Sequence, residues 1–141
     1  MRIMAIDYGD AHTGIAVSDP TGFLAGFTTV IDAYRPDIVA ERIALLAREH
    51  GAERLVLGHP INMDGTRGPR SEKAQAMKTL LEEATGLPVV LWDERRTTID
   101  AHQILFNSGK NAKKRKKVVD AVAASLILEG YLTYLKNHPE G

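Results

Sequence analysis

Residues 2–19 read RIMAIDYGDAHTGIAVSD. An apolar run from Ile3 to Ile6 ends in Asp7, the polar turn YGDAH follows, and a second apolar run starts at Gly14. Two strand-like runs joined by so short a connection predict an antiparallel hairpin. A third run, GFLAGFTTVI over 22–31, follows a Pro-Thr-Gly turn and extends the hairpin into a meander. Asp7 closes the first strand, and two readings compete for it. An Asp at a strand end often satisfies the backbone of the following turn. It can equally be placed there for chemistry.

Outward from this meander the pattern changes. Pro36 and Asp37 open a helix to about His50, with Ile38, Val39, Ile43, Leu46 and Ala47 at helical spacing and Gly51 as its stop. RLVLG (54–58) is a continuous apolar run, as expected of a strand buried on both faces. The polar loop HPINMDGTRG leads to a second helix over 69–85, bounded by Pro69 and Gly86. PVVLWDE (88–94) reads as another buried strand. TIDAHQILF starts a third helix closed by Asn107–Gly109, and a last helix runs from about Lys117 to Lys136. Taking everything helical after the fifth strand together, the order is β-β-β-α-β-α-β-α. It predicts a mixed five-stranded sheet with helices on both faces, its later strands parallel. Such sheets carry their chemistry beyond the carboxyl ends of the parallel strands.

At 141 residues the chain is expected to form a single domain over residues 1–141. It has no cysteine, which excludes disulfides and thiolate metal sites. No signal peptide and no membrane-length apolar stretch is visible, so a soluble cytoplasmic protein is expected. The 18 basic and 18 acidic residues balance to zero. KNAKKRKK (110–117) holds six of the basic ones, however, leaving 12 against 18, a balance of −6, elsewhere. A basic block on an otherwise acidic chain suggests a polyanionic partner or a solvated loop.

Three acidic positions stand in apolar surroundings: Asp7, the Asp93–Glu94 pair that ends the fifth strand, and Asp120 in the last helix. On a wheel of about 100° per residue, Asp120 falls within about 60° of Ala123, Ala124, Ile127 and Tyr131. A carboxylate on an apolar stripe is costly unless paired or bound to a cation. Its place in the first turn of the expected helix would also favour negative charge. Alternation puts Val89, Leu91 and Asp93 on one face and Val90, Trp92 and Glu94 on the other, without deciding which acid points inward. Carboxylates from separate elements, with no cysteine and no i, i+4 histidine pair, suit Mg²⁺ or Mn²⁺. Gly68 and Pro69 lead into a helix whose free amides, flanked by Arg67 and Arg70, could hold a phosphate.

AIDYGDAHTGIAVSD, LGHPINMDGTRGPR, WDERRTT and KKRKKVVDAVAASLILEGYL, in that order, resemble the YqgF family of Holliday junction resolvases, also assigned to processing of pre-16S ribosomal RNA. The resemblance covers nearly the whole chain. It implies a ribonuclease H-like fold and a metal-dependent nuclease acting on structured nucleic acid. By that analogy Asp7 and Asp120 are metal ligands and catalytic residues, and the acid of WDER is the third. Glu94 is preferred for its reach, with Asp93 and Asp64 in reserve. The family usually has an arginine where this chain has His12. The expected function is an endonuclease maturing pre-16S rRNA, with Arg67, Arg70, Lys113, Lys114, Arg115, Lys116 and Lys117 on the nucleic-acid backbone. The alternatives are a junction resolvase acting on four-way DNA and a non-catalytic RNA- or ribosome-binding module. The expected partner is structured RNA rather than a membrane, and the protein a monomer or homodimer.

Overall fold

The computed structural model describes residues 1–19, 25–59, 68–93 and 112–138, with residues 25, 70 and 112–120 as backbone only. Strands β1 (Ile3–Asp7), β2 (His12–Ser18) and β3 (Ala25–Asp32) precede helix α1 (Pro36–His50). Then come β4 (Arg54–His59), α2 (Pro69–Thr85), β5 (Val89–Asp93) and α3 (Ala112–Asn137). The sheet order is β3-β2-β1-β4-β5. The first three strands pair antiparallel as a meander, while β4 and β5 add parallel to β1.

The strand pattern explains the layering. Within β1, Met4 and Ile6 enter one core, with Ile15, Leu55 and Leu57 and with Val39, Ile43, Met77 and Leu81 of α1 and α2. Ile3 and Ala5 enter the other, with Ala16, Val56, Trp92 and with Ala124, Ile127, Leu128 and Tyr131 of α3. Period-two alternation thus feeds two cores from one sheet. This is why β1 and β4 are apolar throughout and not alternating. Helices cover both faces, as expected.

Local signals set the helix ends. Pro36 and Pro69 occupy the first turns of α1 and α2. Gly51 and Gly86 follow them in the left-handed conformation (φ 66° and 69°), which glycine adopts without a Cβ penalty. Residues buried in α1 are Val39, Ala40, Ile43 and Ala47, one face of a 3.6-residue period.

One boundary differs in a way that matters. The last helix begins at Ala112, not Lys117. Ala, Lys and Arg are strong helix formers, and neither glycine nor proline interrupts 112–129, so the helix extends back over Lys113 to Lys117. Lys113 to Lys117 therefore stand on helical turns and not in a loop. Asp120 is the ninth residue of α3, beyond the first turn where the helix dipole acts. The dipole explanation for Asp120 falls; its alignment with the apolar stripe does not. The third helix expected at TIDAHQILF lies outside the described residues.

Candidate active site

Asp7 is half-buried at the carboxyl end of the central strand. Alternation from Ile3 and Ala5 places it on the face covered by α3. Directly opposite on β2 is Gly14. On the other side Ile6 pairs with Leu57, so Gly58 follows level with Asp7, and Gly58 in turn pairs with Trp92. The carboxylate is thus flanked on its own face by two glycines. Glycine inside a strand weakens it and leaves the space beside its neighbours free of a side chain. The opposite face at this level is filled: Tyr8 packs against the α1–α2 core.

Helix α3 runs antiparallel to β1. Its Tyr131 hydroxyl accepts a 2.8 Å bond from Arg54, the first residue of β4, so residues before Ala124 lead toward the carboxyl ends. Ala124, Ile127, Leu128 and Tyr131 are buried against the sheet. Asp120 stands one turn before Ala124, about 6 Å nearer the end that carries Asp7. Helical register and sheet alternation, read independently, bring these two acidic positions to the same end of the same layer.

The turn after Asp7 is held tightly. A Cβ on Gly9 would overlap the His12 carbonyl oxygen. Ala33 donates its amide to the Ala11 carbonyl (3.1 Å), and Lys73 of α2 pairs with Asp10 at 2.8 Å. His12 opens β2 and donates through Nδ1 to Asp32 across the sheet (2.6 Å). Burial, and then the Asp10 carboxylate, hold the Tyr8 phenol above its ordinary 10.0, with Lys73 pulling the other way. His59 is not a loop residue but the last residue of β4; it is buried and shares a 2.6 Å hydrogen bond with the buried Ser71 of α2.

Residues 1–134 match the RuvX family of Holliday junction resolvases. The chain belongs to the RuvX family. RuvX and YqgF name the same family, so the resemblance read from the four sequence blocks holds. A Halothermothrix orenii protein named "Putative pre-16S rRNA nuclease" is 43% identical over 134 residues, covering 95% of this chain and 96% of its own length. A Listeria monocytogenes protein of the same name is 45% identical over 134 residues, 94% of this chain and 97% of its own. Among solved structures, Thermus thermophilus RuvC in complex with a Holliday junction aligns with a TM-score of 0.64 at 15% identity, covering 95% and 96% of the two chains. The shared fold is the ribonuclease H-like one.

The expected RuvX site residues divide by where the fold places them. Asp7 and the backbone of Asp120 come to one end of the α3 layer. Asp93 goes elsewhere: it continues the face of Val89 and Leu91 and pairs in register with the buried His59, opposite to Asp7's face. Glu94, Asp64 and Arg67 lie outside the described residues, and the side chains of Arg70, Lys113, Lys114, Arg115, Lys116, Lys117 and Asp120 are likewise not described. Among the described residues no group of three His, Asp or Glu side chains could hold a metal ion. Sequence reasoning overlooked Gly14 and Gly58. Glycine at the end of an otherwise apolar strand was the available signal. Nothing local announces the His59–Ser71 bond, which spans twelve residues of chain.

Proposed function

We propose that this protein is a divalent-metal-dependent endonuclease that hydrolyses phosphodiester bonds in structured RNA and matures pre-16S ribosomal RNA. The observation that carries this reading is the placement of Asp7 between two glycines, at the end of the α3 layer that Asp120 also reaches. The acids proposed as ligands offer oxygen donors, and these suit Mg²⁺ or Mn²⁺. Asp7, Asp120 and Glu94 would hold the metal. Bound there, it would supply a nucleophilic hydroxide and stabilise the leaving oxygen. Glu94 follows β5, two strands or about 9.5 Å from β1. The strand between carries Gly58 level with Asp7, so no β4 side chain stands beside that carboxylate on its own face.

The turn 8–11, pinned by Lys73 and by the close approach at Gly9, would form a rigid floor for the scissile phosphate. The basic block would hold the backbone. Five cations lie within the first six residues of α3, where the helix's own amino end is positive and no acid occupies the first turn. Such a cluster is locally unfavourable and becomes favourable against phosphate.

The test incubates purified protein with precursor 16S rRNA and with a four-way DNA junction, in Mg²⁺, Mn²⁺ or chelator. The expected result is RNA cleavage with either metal and none with chelator. Asp7→Asn and Asp120→Asn should each lose at least about 100-fold, the upper end of what outer-shell partners alone cost, while retaining the native circular dichroism spectrum. Variants that cut as well as the parent protein would remove the proposed site. The family's own description favours a second reading, junction resolution, and symmetric cleavage of the DNA with no action on RNA would establish it instead. Binding without cleavage in any metal would leave a non-catalytic RNA module.

A further inference from the structure

The α1–α2 core turns polar at the carboxyl ends of the strands. Leu55, Leu57 and His59 share one face of β4, and Ser71, Ala74, Met77 and Leu81 share one side of α2. Leu55, Leu57, Ala74, Met77 and Leu81 are buried apolar members of that core. His59 and Ser71 are as deeply placed, 6% and 0% exposed, at positions where the pattern calls for apolar side chains. They meet there, His59 Nε2 and Ser71 Oγ standing 2.6 Å apart. Gln75, one turn further along α2, donates to the same Oγ at 3.3 Å.

A buried hydrogen bond adds little to stability over an apolar pair of the same shape. It has, however, a direction, which apolar contact lacks. The bond therefore fixes how α2 is turned against β4. Lys73 stands two residues beyond Ser71, about 200° round the helix, and its ammonium reaches the Asp10 carboxylate at 2.8 Å. Asp10 lies in the turn that follows Asp7, where the Ala11 carbonyl accepts the Ala33 amide at 3.1 Å. Leu57 pairs with Ile6, so His59 stands level with Tyr8, where that turn begins. We infer that His59 and Ser71 are positioning residues for the Asp7 site: their bond orients the first turns of α2 so that Lys73 holds the 8–11 turn in place. Neither touches the substrate, and the rate they govern rests on the nuclease reading.

The double variant His59→Leu/Ser71→Ala removes both partners at once, the change that least disturbs a buried site. Its urea midpoint should match the parent's, while kcat on precursor 16S rRNA falls about ten-fold with KM unchanged. By NMR, the Ala33 amide should exchange with deuterium about two- to five-fold faster. Lys73→Met should reproduce both effects, and adding it to the double variant should add nothing. His59→Gln, whose amide nitrogen can take the place of Nε2, should recover most of the lost rate. Ser71→Ala alone, taken through the same cycle with Lys73→Met, carries the test if the double variant does not fold. Parent-like kcat and Ala33 exchange, or losses that add to those of Lys73→Met, overturn the inference. So does a rate that falls only as the folded fraction falls, which gives the bond a purely structural part. Failure of the nuclease reading looks different: the parent cuts nothing in any metal, while Ala33 exchange still reports the hold on the turn.

Discussion

At Gly9 the structure leaves room only for a hydrogen, because a Cβ would overlap the His12 carbonyl oxygen. The obstacle is backbone, which cannot swing aside as a flexible side chain does. Gly9→Ala should therefore cost about 1–3 kcal/mol, the range for forced overpacking, and shift the turn next to Asp7. Urea titration measures the first effect and cleavage rate the second. A variant as stable and as active as the parent would show that the turn is softer than its geometry implies. The Lys73–Asp10 pair beside it is exposed at both ends, 54% and 80%. It belongs to the class of surface pairs that contribute little to stability, so its part here is to orient the turn.

Helix α3 carries both the cationic block and Asp120. Lys113 and Lys117 are four residues apart in α3, near its positive end, a spacing and a place at which like positive charges are unfavourable in a helix. Replacing Lys113 to Lys117 with glutamine should stabilise the helix by a few tenths of a kcal/mol per relieved pair. It should also weaken RNA binding and flatten its dependence on salt, by about 0.7–0.9 in log–log slope for each phosphate no longer neutralised. Thermal melts and salt-titrated binding measure the two sides. A solvated block with no partner predicts the stabilisation but an unchanged salt slope. The boundary at Ala112 gives this prediction its form: in a loop the same lysines would carry no opposing helix dipole.

For the whole molecule, stability should fall at alkaline pH through Tyr8. Its phenol is held above 10.0 in the fold, chiefly by burial. Above about pH 10 the unfolded chain releases this proton first, so the folded state binds more protons and stability declines with rising pH. The contribution is complete below about pH 10 and disappears as pH rises through the folded-state value. Comparing denaturation midpoints of the parent and Tyr8→Phe from about pH 8 to 11 isolates it; equal slopes for the two would exclude Tyr8 as the cause. The turn that sets Tyr8 into the α1–α2 core leaves Asp7 on the other face, so this titration reports on the packing beneath the site.

Much of this architecture is written locally. The meander, the two proline-opened and glycine-closed helices and the continuous apolar strands follow from period and punctuation in the chain, because each depends on neighbours within a few residues. The apolar stripe of α3 is legible for the same reason: Ala124, Ile127 and Tyr131, the residues against which Asp120 was aligned, lie within about three turns of it, and all three are buried. The start of α3 is harder to read, because a run of lysines looks like loop by charge and like helix by propensity, and propensity prevails. What only the tertiary structure decided concerns residues distant in the chain. Sheet order put Gly14 and Gly58 on either side of Asp7 and turned Asp93 to the opposite face beside His59. The seating of α2 on the sheet brought Ser71 to His59 and Lys73 to Asp10. Alternation tells which residues share a face within one strand, but which strands become neighbours, and in what register, is settled by long-range pairing and by the two cores that must be filled at once.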